Sequence, residues 1–389
     1  MGREERSLSA LFLAAGGSAH GNVTEGTDRM PRNTSIRRAV KGTLVVAAAA
    51  ALTAAVVPAA TAATGSASGS VLDAAHPWRH GIVPTVEGAK NKALGLPGLG
   101  ILNFNLSYGG GTNGVGVTTG APKVYLVFWG SQWGTAGTNA KGDTTLTNDP
   151  AGAAPVVQEF FKGLGTNSEG WSKVMTQYCE GVSSGTTTCP SSAPHVGYPT
   201  GGALAGVWYD NGAAAPSQAT QTQLGQEAVN AAAHFGNTTA ASNRNAEYAI
   251  LSPTGTHPDG YNTTTSNWCA WHDWTGDVSV NSPYGGIAFA NDPYQLDMGS
   301  SCGENFVNSG SAGVTDGFTI VFGHEYSETI TDQFPAGGWT DIQGEENADK
   351  CAWISSGTGA SQDITLSTGS FAVQSTWGND KSQCEITHA

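Results

Sequence analysis

The six cysteines of this chain, the first of which is Cys179, limit its fold more than any other feature. Their number is even and none forms a C-x-x-C pair, which favours disulfides over a thiolate metal site. Disulfides persist in oxidising compartments, so the same pattern indicates an exported protein. Sequential pairing closes the shortest loops, and we therefore predict the bridges Cys179–Cys189, Cys269–Cys302 and Cys351–Cys384.

Residues 30–62 have the pattern of a secretory signal peptide. A basic stretch that includes Arg37 and Arg38 precedes an apolar Ala/Val/Leu run, which ends in the small-residue cleavage motif Ala60-Thr61-Ala62. The two arginines leave general and twin-arginine export both open. We interpret residues 1–29 as a non-native extension, because an export signal does not need them, and we predict a secreted, extracellular protein.

Charge and hydropathy exclude two classes of partner. The chain has 17 basic and 31 acidic residues, a net charge of −14, which argues against nucleic acid and anionic membranes. After the export segment, no apolar stretch approaches the ~20 residues that span a bilayer. We expect a monomer that binds neither nucleic acid nor membranes stably.

Apolar periodicity predicts strands interleaved with helices. Residues 63–99 show little periodicity and are interpreted as a flexible leader or propeptide, whereas residues 100–389 suit one large domain. The order predicts an α/β or α+β fold, with a mixed central sheet and flanking helices. The predicted strands are 101–108, 123–129, 247–253, 285–291 and 370–377, and the predicted helices are 155–165 and 217–236.

The segment "DGFTIVFGHEYSETITD" reads as a buried helix with Asp316 as its N-cap. Positions four apart lie on one helix face, so His324 and Glu328 project together. This is the geometry of the H-E-x-x-H metallopeptidases, with glutamate in place of the second histidine. The segment therefore predicts a zincin-like active-site helix, with His324 and Glu328 as metal ligands and Glu325 as general base.

A catalytic metal needs a further protein ligand, and the acidic segment 341–349 offers one. We predict Glu346 as the third ligand and Asp349 as the residue that orients a ligating histidine, with Glu345 as an alternative. Asp332 would reach the site only if the helix unwinds, and otherwise caps or orients a neighbour. His272 is the best remaining histidine, as an oxyanion partner or as a ligand.

Other interpretations of the same residues stay open. H-E-x-x-E occurs often by chance, and the 341–349 segment also suits a Ca²⁺ loop or a solvated turn. His272 could simply pack beside a disulfide. A glycosidase built on Glu325 and Glu328 is disfavoured, because adjacent turns of one helix cannot flank a glycosidic bond.

Several ordered motifs of the chain resemble the Exordium-like, phosphate-induced proteins of plants. They are Tyr108-Gly109-Gly110, the strand "VYLVFWG", a following "FF" helix, Cys269 with Trp271 and His272, and Thr331, Asp332 and Phe334. Plant members of this family lack the His-Glu pair and are regarded as wall-associated growth regulators. The bacterial relatives carry H-E-x-x-E and a later E-x-x-D-x-C, which corresponds to Glu346, Asp349 and Cys351.

Together these features predict a secreted, metal-dependent hydrolase, most simply a zinc metallopeptidase that acts on a protein or peptide substrate. Zn²⁺ is the expected metal and Ca²⁺ the alternative, because a carboxylate in place of a histidine makes the site harder. The competing hypothesis is a non-catalytic extracellular protein that binds cell-wall material or glycans, with a structural Ca²⁺ or no metal. Sequence alone does not decide between them.

Overall fold

A computed structural model describes residues 77–94 and 104–389, and these belong to one compact unit. The predicted signal peptide and the extension before it lie outside the described residues. Within the described part, no helix combines the length and the apolar character needed to cross a membrane.

Strands and helices alternate along the described chain, as expected. The strands are β1 (His80–Pro84), β2 (Ser107–Tyr108), β3 (Lys123–Trp129), β4 (Ala136–Thr138), β5 (Thr144–Leu146), β6 (Leu204–Asp210), β7 (Ala246–Leu251), β8 (Trp268–Trp274), β9 (Ala288–Asp292), β10 (Trp339–Thr340), β11 (Gln362–Thr365), β12 (Ser370–Val373), β13 (Thr376–Gly378) and β14 (Gln383–Glu385). The helices are α1 (Val86–Leu94), α2 (Ala153–Gly163), α3 (Trp171–Met175), α4 (Gln221–His234), α5 (Ala240–Asn243) and α6 (Asp316–Thr331).

A mixed sheet of six strands, in the order β1-β8-β9-β7-β3-β6, forms the centre of the fold. Strands β9, β7, β3 and β6 run parallel, whereas β8 is antiparallel to β9 and β1 is antiparallel to β8. The parallel strands are apolar because helices cover both faces of such a sheet. Helix α4 packs on β7, β9 and β3, and α6 packs on β8, β9 and β1. The fold is therefore a mixed α/β architecture with a mixed central sheet.

Helix α6 is buried at every position from Asp316 to Thr331. The sheet lies on one side of it, and α2, α3 and β12 pack against it as well. The prediction of Asp316 as N-cap is wrong, because the cap position is Thr315 and the Asp316 carboxylate accepts hydrogen bonds from the backbone of Val307 and Asn308. A helix enclosed on all sides makes its polar residues functional candidates, since burying them unpaired costs free energy.

Several predicted boundaries are corrected by the structure. Strands β6 and β8 were not predicted, because neither shows a clean apolar run or alternation. In the predicted strand 101–108, the described part is extended only at Ser107–Tyr108, and the predicted strand 370–377 is split between β12 and β13. Helix α4 is capped by Thr220 in a capping box with Gln223, not by Ser217.

The predicted leader contains folded structure. Strand β1 and helix α1 lie inside the range 63–99, and β1 pairs with β8 at the edge of the main sheet. This pairing buries β1, and its residues Ile82 and Val83 belong to the hydrophobic core. The prediction of a flexible leader is therefore wrong for the described part of this range. The sequence there has little apolar periodicity, but it folds nevertheless.

All three predicted disulfides are confirmed, namely Cys179–Cys189, Cys269–Cys302 and Cys351–Cys384. The second joins β8 to the short 3₁₀ segment Gly299–Cys302, and the third joins the segment after Asp349 to β14. Both bridges thus fix strands and loops that lie close to α6.

Glu227 on α4 makes stability depend on pH. It is 2 % exposed, and burial raises its pKa to about 8, against a hydrogen bond from Asn230 that lowers it. The native state therefore holds this proton more tightly than the unfolded chain, and stability falls as pH rises from the unfolded value of 4.5 to about 8.

We expect Glu227→Gln to stabilise the protein by on the order of 2–4 kcal/mol at pH 9 and to have little effect at pH 4. Chemical denaturation at both pH values measures this difference. Glu87→Gln is the matched control, because its side chain is 73 % exposed, and it should show no such dependence. An equal effect of Glu227→Gln at both pH values would contradict the burial argument.

Candidate metal centre

Helix α6 brings His324 and Glu328 together as the spacing predicts. His324 Nε2 lies 3.1 Å from Glu328 Oε2, across one helical turn. Both side chains are fully buried. The predicted pair is therefore assembled inside the protein, and not on a solvated helix face.

The imidazole of His324 is held in one tautomer by Gln374, which follows β12. Gln374 Nε2 donates to the carbonyls of Ala348 and Ser375, so its Oε1 is left to accept a hydrogen bond from His324 Nδ1 at 3.0 Å. With the proton on Nδ1, the lone pair of Nε2 points at Glu328. Metal-ligating histidines are usually fixed in this way through their other nitrogen.

The two carboxylate oxygens of Glu328 have different surroundings. Oε1 accepts hydrogen bonds from the backbone N–H groups of Ala348 and Asp349, at 3.1 and 2.7 Å. Oε2 is buried and has no hydrogen-bond donor among the described residues. One oxygen therefore orients the carboxylate, and the other is left to meet a cation.

Two groups of potential ligands share Glu328. The first is His324, Glu328 and Asp349, with Asp349 Oδ1 3.6 Å from His324 Nε2. The second is His272, Glu328 and Glu346, in which His272 Nε2 lies 3.8 Å from Glu328 Oε2 and 3.2 Å from Glu346 Oε1. Glu328 Oε2 is thus the atom that both groups have in common. Asp349, predicted only as an orienting residue, reaches the cluster itself, whereas Glu346 lies beside His272 and not beside His324.

Burial and charge make this cluster a candidate cation site. Burial first, and then the Asp349 carboxylate, raise the pKa of Glu328 to about 7. Burial, Asp332 and Glu328 raise the pKa of Glu346 as well. Among the described residues, no lysine or arginine pairs with Glu328 or Glu346. A bound divalent cation would supply the missing positive charge.

The pKa values of the two histidines, His272 and His324, are shifted in opposite directions. Burial lowers the pKa of His272 to about 3, so its imidazole is neutral and able to act as a ligand. Burial also lowers the pKa of His324, but Glu328 and Asp349 outweigh it and raise that pKa to about 10. A divalent cation bound at Glu328 would therefore compete with a proton on His324.

Glu325 is buried and does not belong to either ligand group. Neither of its oxygens has a hydrogen-bond partner among the described residues. Burial raises its pKa, and Glu328, Asp292, Asp349 and Glu247 raise it further. Its carboxyl is thus within the electrostatic range of the cluster and of the acidic side chains Asp292 and Glu247 on the sheet.

Two other predicted alternatives have structural partners away from the cluster. Asp332 follows α6, and its carboxylate accepts hydrogen bonds from the backbone of Ala336, Gly337 and Gly338. The backbone N–H of Glu345 donates to Asp341, and the Glu345 side chain is in neither ligand group. Asp332 therefore fixes the turn after the helix, as the second of its predicted roles requires.

Comparisons with protein-family profiles, curated proteins and solved structures give no significant match. The functional argument consequently rests on the geometry of the cluster. Sequence reasoning missed Gln374, because nothing in a strand sequence marks a glutamine that will face a histidine fifty positions away.

Proposed function

We propose that the protein is a secreted metallohydrolase, and specifically a zinc metallopeptidase with a zincin-like helix α6. The observation that carries this proposal is the convergence of His272, His324, Glu346 and Asp349 on Glu328 Oε2. The export signal, the H-E-x-x-E spacing and the resemblance to bacterial Exordium-like proteins support it. His324, Glu328 and Asp349 hold the metal in this proposal, and His272 and Glu346 line the site beside it.

The donor set favours zinc over calcium. Ca²⁺ is bound by oxygen ligands, whereas two neutral imidazole nitrogens are typical of Zn²⁺ and its neighbours. The hydrogen bond from His324 Nδ1 to Gln374 leaves Nε2 available as such a ligand. The site is nonetheless richer in carboxylates than most zinc sites, so Mn²⁺ and Ca²⁺ belong in any binding test.

The metal, when bound, supplies a Lewis acid that polarises a scissile carbonyl. The surrounding residues have separate tasks. Glu325 accepts the proton of the attacking water, since it directly follows His324 on α6 and neither of its buried carboxyl oxygens has a hydrogen-bond partner among the described residues. Backbone N–H groups of Ala348 and Asp349 hold Glu328 in place, and Gln374 holds His324.

We test this function by measuring metal content and casein hydrolysis on the same samples of wild type and Glu325→Gln. We expect about one zinc per chain in both proteins, and hydrolysis at least about 100-fold slower in the variant, because a general base is worth roughly 10²–10⁴ in rate. Metal-loaded protein that hydrolyses neither casein nor unfolded peptides, both as wild type and with the strand over the cluster loosened by Arg79→Ala, would reject the peptidase proposal.

A second candidate is a closed structural cation site in a non-catalytic extracellular binding protein. The complete burial of His272, His324 and Glu328 favours it, because structural sites are closed whereas catalytic ones keep an open position. In this case metal removal lowers the unfolding temperature and Glu325→Gln changes no activity.

A further inference from the structure

The cluster is covered by the N-terminal strand of the described chain. Strand β1 lies along the outer edge of β8, and His80 is the residue paired with His272. Helix α6 contacts β1 as well as β8. Because β1 is the last strand on this side of the sheet, its departure would leave β8 as an open edge next to the cluster.

Gly81 is the residue of β1 that touches the site. Its φ is +51°, in the region that favours glycine. A Cβ built on Gly81 would collide with Glu328 Oε2 and with the imidazole of His272. The backbone at Gly81 therefore lies directly on two of the proposed ligands and accounts for their burial.

The segment is anchored at its ends more than at its centre. Arg79 Nε lies 2.6 Å from Asp259 Oδ2, and the Arg79 guanidinium stacks 5.0 Å above the ring of Trp268. At the other end, Trp353 Nε1 donates to the Pro84 carbonyl at 2.6 Å. Between His80 and Val83 the pairing with β8 is irregular. The part of the strand above the cluster is thus the part with the least regular ladder.

We propose that the outer edge of β8 is a binding site for an extended polypeptide, and that Trp78–Pro84 occupies this site in the chain itself. This inference rests on the proposed peptidase function and names its substrate: an extended segment, antiparallel to β8, with glycine above Glu328 and His272. Strand addition provides affinity through main-chain hydrogen bonds, and the space at Gly81 provides selectivity for a residue without a side chain.

Occupation of the edge also regulates the site. A ligand can bind only the fraction of molecules in which β1 has left β8, so its apparent affinity is reduced by that fraction. Weakening an anchor of β1 should therefore tighten binding of a peptide supplied in trans, without any change in the binding edge itself.

The test uses the full exported chain and a fluorescein-labelled peptide with the sequence of residues 77–86, PWRHGIVPTV. Fluorescence anisotropy measures its affinity for wild type, Arg79→Ala and Gly81→Ala. We expect at least tenfold tighter binding to both variants. Lys90→Ala is the control, because it removes a positive charge from α1 at a side chain that is 65 % exposed, and it should match wild type.

A second peptide, in which valine replaces the glycine, should lose at least tenfold in affinity for Arg79→Ala. If Arg79→Ala fails to fold, Asp277→Ala serves instead, because it breaks the 2.9 Å contact with His80 at a side chain that is 43 % exposed. Equal affinities for wild type and both loosened variants would overturn the inference.

Metal content of the same samples separates the two proposals. Peptide binding that tightens as expected in a protein that takes up no metal keeps the β8 site and rejects the peptidase. Bound zinc together with unchanged peptide binding rejects the β8 site and keeps the metal centre. Casein hydrolysis that rises in parallel with peptide affinity supports both.

Discussion

Glu328→Gln is expected to abolish stable metal binding, with a loss of at least about 100-fold in zinc affinity. Glu328 Oε2 is the atom shared by both ligand groups, so its replacement by an amide removes the negative charge at the centre of the cluster. Even residues that only orient a ligand change metal affinity by about 10–100-fold, and the loss of a shared ligand should exceed that.

The substitution is chosen to leave the fold intact. The glutamine carbonyl can still accept the hydrogen bonds that the backbone of Ala348 and Asp349 donates to Glu328 Oε1. Competition with a chromophoric chelator measures the affinity, and thermal unfolding without metal checks stability. Asp363→Asn makes the same charge change on the exposed strand β11 and should bind zinc like wild type.

Three results of this measurement would be informative. A hundredfold loss in Glu328→Gln alone supports the shared-ligand geometry. Retained affinity in Glu328→Gln would place the metal elsewhere and contradict the proposed centre. Equal losses in Glu328→Gln and Asp363→Asn would indicate an effect of net charge and not of coordination.

The part of the site that sequence could predict is the part that lies on one helix. His324 and Glu328 are four residues apart, and helical geometry alone places them together. The disulfides were predictable for a similar reason. The entropic cost of closing a loop grows with its length, so pairing each cysteine with the next one along the chain is favoured. The strand β3 followed from an uninterrupted apolar run. Each of these inferences needs only local information.

The remaining contacts depend on elements that are distant along the chain. His272 reaches Glu328 because β8 lies beside α6, and β8 carries tryptophan, histidine and aspartate where an apolar pattern would have marked a strand. Gln374, which reaches His324, directly follows β12. Gly81 lies in a segment of low periodicity and was not predicted to be part of the site. It matters because there is no room for a side chain where it contacts Glu328 and His272. No local pattern marks such positions.

Removal of the Cys269–Cys302 bridge is expected to lower the free energy of unfolding by about 3–4 kcal/mol. This is the entropic contribution expected of a bridge between cysteines that are 33 residues apart in the sequence. Cys269 lies on β8 three positions before His272, and Cys302 lies in the turn that packs against the start of α6. The bridge therefore ties β8, which carries His272, to a segment that packs against α6.

The double variant Cys269→Ala/Cys302→Ala should accordingly lose about tenfold in zinc affinity as well as stability, since loosely held supports weaken a metal site. Cys179→Ala/Cys189→Ala is the matched control, because its bridge spans only 10 residues and joins no element of the cluster. We expect it to lose about 2–3 kcal/mol and to bind zinc like wild type. Urea denaturation and zinc competition measure both quantities, and equal zinc losses in the two double variants would show that the disulfide next to His272 has no special part in holding the site.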